Sequence, residues 1–203
     1  MRKLILVGGP AGSGKTHFSE ALAEHLGAAY LDKDTLSHAF TGKILELLGQ
    51  NEDDRESNVY QEHVRPLEYS TLEALAIDNI CLRSTDVVCS APFATQFQDT
   101  EWLDNLELTV KAFDAALVLV WMHSDATVAN TRIAAREESR DAWKLNNWDA
   151  YNQVTGYNPP ALPRPLHVIE NKTNVAEDLD QQMDKFLATL SQLDEAHKLI
   201  SEH

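Results

Sequence analysis

The chain has 203 residues, 43% hydrophobic and 24% charged, enough for one domain with a substantial core. A formal net charge of −15 argues against a broad nucleic-acid-binding surface, which needs an excess of Lys and Arg. No apolar run approaches a membrane span, and the four apolar residues after Arg2 and Lys3 are too few for a secretory signal. The expectation is a cytoplasmic protein in which the two cysteines, Cys81 and Cys89, are reduced and buried, since neither lies in a C-x-x-C pair.

Residues 4–7, Leu-Ile-Leu-Val, read as a short strand buried on both faces. Gly8-Gly9-Pro10-Ala11-Gly12-Ser13-Gly14-Lys15-Thr16 follows, and Gly9, Gly14, Lys15 and Thr16 fit G-x-x-x-x-G-K-[ST], the phosphate-cradling loop. Glycines let successive backbone N–H groups of the loop turn inward at phosphate oxygens, and the next helix adds the positive end of its dipole. Lys15 can reach the β- and γ-phosphates, and the Thr16 hydroxyl suits Mg²⁺. Phe18, Leu22 and Leu26 share one face of that helix, and Gly27 stops it.

Residues 28–31 read as a second strand, ending in Asp32-Lys33-Asp34. A helix starts near Thr35, is interrupted at Gly42 and resumes to Gly49. The acidic stretch 51–56 reads as solvated surface. A long helical region over 58–83 should kink or split at Pro66. Val87-Val88-Cys89 is a third buried strand, a helix follows with Leu103, Leu106, Val110 and Phe113 on one face, and residues 115–122 are the fourth strand. Asp125 reads as the N-cap of a helix reaching about residue 138, and a further polar, aromatic helical segment reaches about residue 151. Residues 155–165, with four prolines, are irregular, 167–169 are a fifth strand, and the last helix carries Leu179, Met183, Phe186, Leu190 and Leu193. Strands alternating with helices imply an α/β fold with a parallel sheet covered on both faces, residues 35–83 being an insertion within a single domain spanning 1–203.

Ligands gather at the carboxyl ends of strands in such sheets. Asp34 is the candidate general base: beside a γ-phosphate it could take or orient the proton of an acceptor hydroxyl, although it could equally cap a helix beginning at Thr35. Arg132, Arg136 and Arg140 recur every four residues and would share a face while the helix lasts, positioned to clamp a polyphosphate; surface pairing is the alternative. Asn171-Lys172-Thr173-Asn174 lacks the final Asp of a guanine-reading motif and reads as the loop after the last strand, touching a base through its backbone. The third strand ends in Cys89-Ser90 where hydrolysing motors carry an acid pair, so transfer to a bound acceptor is better supported than sustained hydrolysis. His38, His63, Arg65, Tyr69, Phe93 and Trp102 are candidates for a substrate pocket, with packing an equal alternative.

The phosphate loop, Leu31-Asp32-Lys33-Asp34 and the downstream pair Arg132 and Arg136 together resemble the small P-loop kinases of the nucleoside-monophosphate-kinase-like superfamily. The segment Arg140-Asp141-Ala142-Trp143-Lys144-Leu145 is similar to that of bacterial proteins described as ATP-binding or AAA-family ATPases. The resemblance implies a three-layer α/β/α P-loop NTPase fold with five parallel strands in the order 2-3-1-4-5. It also implies a helical lid at 125–152 bearing Arg132 and Arg136, and a substrate pocket built from 35–83. It implies ATP and Mg²⁺ as cofactors, with Gly9, Ala11, Gly12, Ser13, Gly14, Lys15, Thr16 and Arg132 on the nucleotide and Thr16 and Asp34 near the metal. Lys15, Asp34, Arg132 and Arg136 would be catalytic. Ser90 stands where many relatives carry an Asp metal ligand. The expected activity is transfer of the γ-phosphoryl group to a hydroxyl of a small molecule, with nucleic acid and membrane disfavoured as partners. A nucleotide-binding regulatory module, and a polynucleotide or toxin-like kinase, are the alternatives.

Overall fold

The computed structural model describes residues 1–201, apart from the side chains of residues 140, 154, 200 and 201. Its centre is β1 (Arg2–Gly8), whose continuous apolar run lets it bury both faces. Parallel neighbours flank it: β3 (Val87–Ser90) aligns Val87 with Leu4 and Ser90 with Val7, and β4 (Ala115–His123) aligns Leu117 with Leu4 and Val120 with Val7. Outside these lie β2 (Ala29–Asp32), with Asp32 beside Ser90, and β5 (His167–Glu170), with Glu170 beside His123. The order is β2-β3-β1-β4-β5, as the resemblance implied.

The two-residue period of β1 divides the core. Leu4 and Leu6 face α3 (Arg65–Asp78) and α4 (Thr100–Lys111) through Leu72, Ala76, Leu103 and Leu106. Ile5 and Val7 face α1 (Lys15–Leu26) and α8 (Leu179–Ser201) through Phe18, Leu22, Met183 and Phe186. Near the carboxyl end of β1 the first layer is aromatic: Phe93 stacks on Phe97 at 5.5 Å, Tyr69 meets Phe93 edge-on, and Trp102 and Trp121 extend the series.

The insertion departs from the sequence expectation at Gly42. α2 (Lys33–Leu47) runs unbroken through Gly42, because one helical glycine costs only about 1 kcal/mol and packing offsets it. The expected split falls at Pro66: a π-helical turn at Tyr60–Val64 gives way to α3, and the proline sits in its first turn, where its missing N–H is harmless. A second π-helical turn, Asn79–Arg83, ends the region. Glu68 on α3 joins the parts. It is 1% exposed and accepts from Lys33 Nζ (2.6 Å) and Tyr60 OH (2.8 Å) on Oε2, and from Thr41 Oγ1 (2.7 Å) and Ser37 Oγ (3.2 Å) on Oε1.

Further differences are local. The helix after β4, α5 (Ala126–Ala135), stops short of residue 138, and Glu137 turns left-handed at φ 52°. Asp125 occupies the N-cap position, but its carboxylate accepts from the N–H and hydroxyl of Thr173. Two short helices follow, α6 (Ala142–Asn146) and α7 (Trp148–Val154). Phe113 lies past the end of α4 and is 43% exposed, and Leu193 is 38% exposed; neither joins its predicted core stripe. Cys89 is buried, whereas Cys81 is half-buried, and both thiols are free. No helix among the described residues is long and apolar enough to cross a membrane.

Candidate active site

The loop from Gly9 to Gly14 joins the end of β1 to α1. Its first helical bond is Phe18 N–H to the Gly14 carbonyl at 3.1 Å, so the N–H groups of residues 15–17 lack intrahelical acceptors. Gly14, the N-cap, brings no capping side chain. A helix end left in this condition is suited to anions. Two glycines are required by close approach. Gly12 has φ +75°, and a Cβ there would stand 2.6 Å from the Ala129 carbonyl oxygen. Gly14 has φ +90°, and a Cβ there would collide with the Asn171 amide. Gly9 meets the loop after β3 through its N–H, given to the Pro92 carbonyl at 3.0 Å. Ser13 is buried beneath the bend, Ala11 is half-buried on it, and Thr16 is exposed in the first turn of α1.

Lys15 folds back over the bend, its Nζ donating to the Pro10 carbonyl at 2.7 Å. Burial is the main cause that pulls its pKa down to about 8; Arg136 and Lys144 add to the fall, while Asp34 and Asp32 oppose it. Both acids and two lid cations therefore surround this ammonium. Asp34 is the nearest in effect of these charges, and Lys33 Nζ stands 3.1 Å from its Oδ1. Asp34 is not the helix cap: Asp32 caps α2, accepting from Thr35 N–H at 2.8 Å, which places Asp34 in the first turn. Ser90, at the strand end where an acid was the family expectation, lies by the phenol of Tyr30. Burial first, and then Asp32, push that phenol's pKa up.

The chain after β4 lies on the loop. Arg132 donates to the Gly12 carbonyl (3.3 Å), the Asn171 carbonyl (3.3 Å) and Asn171 Oδ1 (2.9 Å), and the Asn171 amide donates to the Ser13 carbonyl (2.8 Å). The Asn171 tetrad thus touches the loop through a side chain, not only through backbone. Arg136 Nε donates to buried Asp141 at 2.5 Å, and Lys144 reaches the same carboxylate at 2.8 Å. The Tyr151 phenol faces the Ala11 backbone N–H. Arg132 and Arg136 therefore both lie near the loop. Arg140 lies beyond the end of α5, off the shared helical face, and its side chain lies outside the described residues.

Sequence reasoning missed Lys33, Glu68, Asp141, Lys144 and Tyr151. The one available signal was the three-residue spacing of Asp141 and Lys144. Of the pocket candidates, His38 and His63 are exposed. Tyr69, Phe93 and Trp102 enclose only about 10 Å³, hardly one water, so they pack rather than receive an acceptor. A 240 Å³ cavity opens instead between Trp143 of the lid and the 51–56 stretch, which is folded over Asp54 and Arg55 rather than merely solvated.

A curated relative, the bifunctional pantoate ligase/cytidylate kinase of Gloeobacter violaceus, is 27% identical over 118 residues, which are 58% of this chain and 19% of the relative. The chain thus spans about a fifth of that protein's length. Three solved structures are similar. A candidate kinase from Chloroflexus aurantiacus has a TM-score of 0.64 and 21% identity, covering 92% of this chain and 97% of its own. A gluconokinase from Sinorhizobium meliloti has 0.59 and 20%, covering 99% of each chain. The Mycobacterium tuberculosis APS kinase, solved with AMPPNP and APS, has 0.53 and 18%, covering 94% and 98%. Residues 4–160 match the AAA domain family, so with its phosphate loop and its 2-3-1-4-5 sheet the chain belongs to that family and has the P-loop kinase fold.

Proposed function

We propose that the protein is an ATP- and Mg²⁺-dependent phosphotransferase that moves the γ-phosphoryl group to a hydroxyl of a small molecule. The observation that carries this reading is the uncapped helix end after Gly14 with Lys15 folded over the bend, and Asp34, held 3.1 Å from Lys33 in the first turn of α2, among the charges that act on that lysine. Kinase catalysis is chiefly positioning and charge stabilisation, and the residues here divide along those lines. The loop amides and Lys15 hold the polyphosphate. Asp34 orients the acceptor hydroxyl and receives its proton as the new P–O bond forms and the bond to the β-phosphate breaks. Arg132 and Arg136 offset charge on the transferring group.

The donors near Lys15 are oxygens, the Thr16 hydroxyl and the Asp34 carboxylate, which suit a hard cation. Among the described residues no three His, Cys, Asp or Glu side chains cluster as a metal cage. That fits Mg²⁺, which shares its sphere with phosphates and waters and, when bound, neutralises phosphate charge. Thr16 would hold it, with Asp34 close by. The 240 Å³ cavity beside Trp143 is of a size for a small acceptor, and the −15 charge disfavours a polynucleotide. The relatives named for small-molecule kinases support the same class. Two free thiols suit a reducing cytoplasm.

The test is Asp34→Asn. Screening small hydroxylated metabolites for acceptor-stimulated ADP release identifies the acceptor. The variant should then bind ATP as the parent does, while transfer falls by about 10²–10⁴. Undiminished transfer would remove Asp34 from the mechanism.

A further inference from the structure

The buried hub that joins α2 to α3 reaches outward to the candidate base. Lys33 opens α2 next to Asp34, yet its side chain turns inward and is only 6% exposed. Its Nζ stands 2.6 Å from Glu68 Oε2 and 3.1 Å from Asp34 Oδ1, with the centroid of the Tyr69 ring 5.8 Å away. One ammonium therefore links a carboxylate that is 1% exposed to one that is 47% exposed. The inner end of this link is fixed. Glu68 also accepts from Tyr60, Thr41 and Ser37, so turning its carboxylate would break bonds to both α2 and the π-helical turn. Burial alone would lower the Lys33 pKa, but Asp34, then Tyr60 and Glu68, outweigh it and hold the ammonium above the usual lysine range.

A pair that served stability alone would be complete with Glu68. The contact with Asp34 adds little stability, because a half-exposed partner is screened by water. What it adds is geometry. An exposed aspartate samples several rotamers, and a fixed ammonium at 3.1 Å favours the one that meets it. Other charges also surround Asp34. Lys15 and Asp32 are near, and beyond Lys15 come Arg136 and Lys144, with Asp141 between them and Glu56 acting on Lys144. Lys15 serves the phosphates in the proposed reaction. Lys33 is anchored on α3, away from the phosphate loop, so its hold on Asp34 does not depend on the nucleotide.

We propose that Lys33 is a positioning residue for phosphoryl transfer: held by Glu68, its ammonium fixes the Asp34 carboxylate toward the acceptor hydroxyl and keeps it ionised. The inference rests on the reading of Asp34 as the base. Glu68 stands one step further back, as the anchor of that ammonium.

The test uses the full chain labelled with carbon-13 at the aspartate side-chain carboxyls, the Asp34 signal being assigned by its loss in Asp34→Asn. Lys33→Met combined with Glu68→Gln removes both buried charges and leaves no unpaired ion in the core, so circular dichroism should show the parent fold. In that variant the Asp34 signal should titrate at a higher pH than in the parent, because a cation in contact with it has gone. ADP release from MgATP, with water as the acceptor hydroxyl, should fall about ten- to a hundredfold at unchanged KM for ATP. Its acid limb should move to higher pH as well. An Asp34 titration that does not move overturns the proposal, as does ADP release at the parent rate from the folded double variant. Asp34→Asn separates the two levels of the argument. If it slows ADP release and the double variant does not, the Lys33 assignment fails and the base reading stands; if Asp34→Asn releases ADP at the parent rate, the base reading fails. Should the parent release no ADP into water, the titration decides alone. Should the double variant not fold, Lys33→Met alone is titrated, Glu68 then taking up a proton in place of its partner.

Discussion

Glu68→Gln should be among the most damaging single-atom changes outside the active site. The carboxylate is 1% exposed and accepts four hydrogen bonds, one of them from a Lys33 ammonium that is itself 5% exposed. With the amide oxygen placed at Oε1, Thr41 and Ser37 keep their acceptor. The new NH₂ then points at Tyr60 and Lys33. Tyr60 can rotate its hydroxyl and accept, but the ammonium has no lone pair to offer and loses its counter-ion. Removing one member of a buried pair costs about 3–5 kcal/mol. Asp34 remains 3.1 Å from Lys33, although its side chain is 47% exposed, so the lower end of that range applies. For a chain of this length, about 3 kcal/mol lowers the melting temperature by about 6–12 °C. Scanning calorimetry of parent and variant, with urea unfolding followed by circular dichroism, measures it. Lys33→Met combined with Glu68→Gln removes both charges and should be more stable than Glu68→Gln alone. A Glu68→Gln protein melting within about 2 °C of the parent would refute the counter-ion account.

Other consequences can be checked with similar means. Gly12→Ala forces a residue with a Cβ into φ +75° and pushes α5 away from the loop. It should cost about 1–2 kcal/mol from the backbone alone and weaken ATP, read by melting and titration calorimetry; unchanged melting would contradict the close approach. ATP binding should take up protons at pH 8.5 and take up far fewer at pH 7. The pKa of Lys15 lies near 8, a polyphosphate favours its charged form, and at pH 7 that form already predominates. Titrations in two buffers of different ionisation enthalpy report the number, and equal uptake at both pH values would exclude Lys15 as the source.

The parts of the fold that could be read from sequence were those written in adjacent residues. β1 and β4 are apolar runs, and the phosphate loop is one contiguous motif. The strand order came with the family resemblance, since composition does not say which strands are neighbours. Gly42 misled because a glycine inside a packed helix is only a small loss, whereas Pro66 did mark the place where α3 begins. The polar hubs were hidden for another reason. Glu68 draws three of its donors, Lys33, Ser37 and Thr41, from one face of another helix and the fourth from Tyr60, and Asp141 reaches Arg136 across the turn at Glu137, so no pattern within either acid's own helix names all of its partners. Asp34 looked able to cap a helix beginning at Thr35, but α2 begins at Lys33 and Asp32 takes that role.

The tryptophans divide into two reporters. Trp121 is 2% exposed beside Phe97, and Trp102 gives its indole N–H to Glu73 of α3 at 2.7 Å, so this pair should emit toward the blue and respond to the insertion helices. Trp143 is 43% exposed and Trp148 lies against Tyr151, both on the helices that cover the phosphate loop. Red-edge excitation would select the second pair. Changes at the two places could then be followed separately by intrinsic fluorescence, with no dye attached.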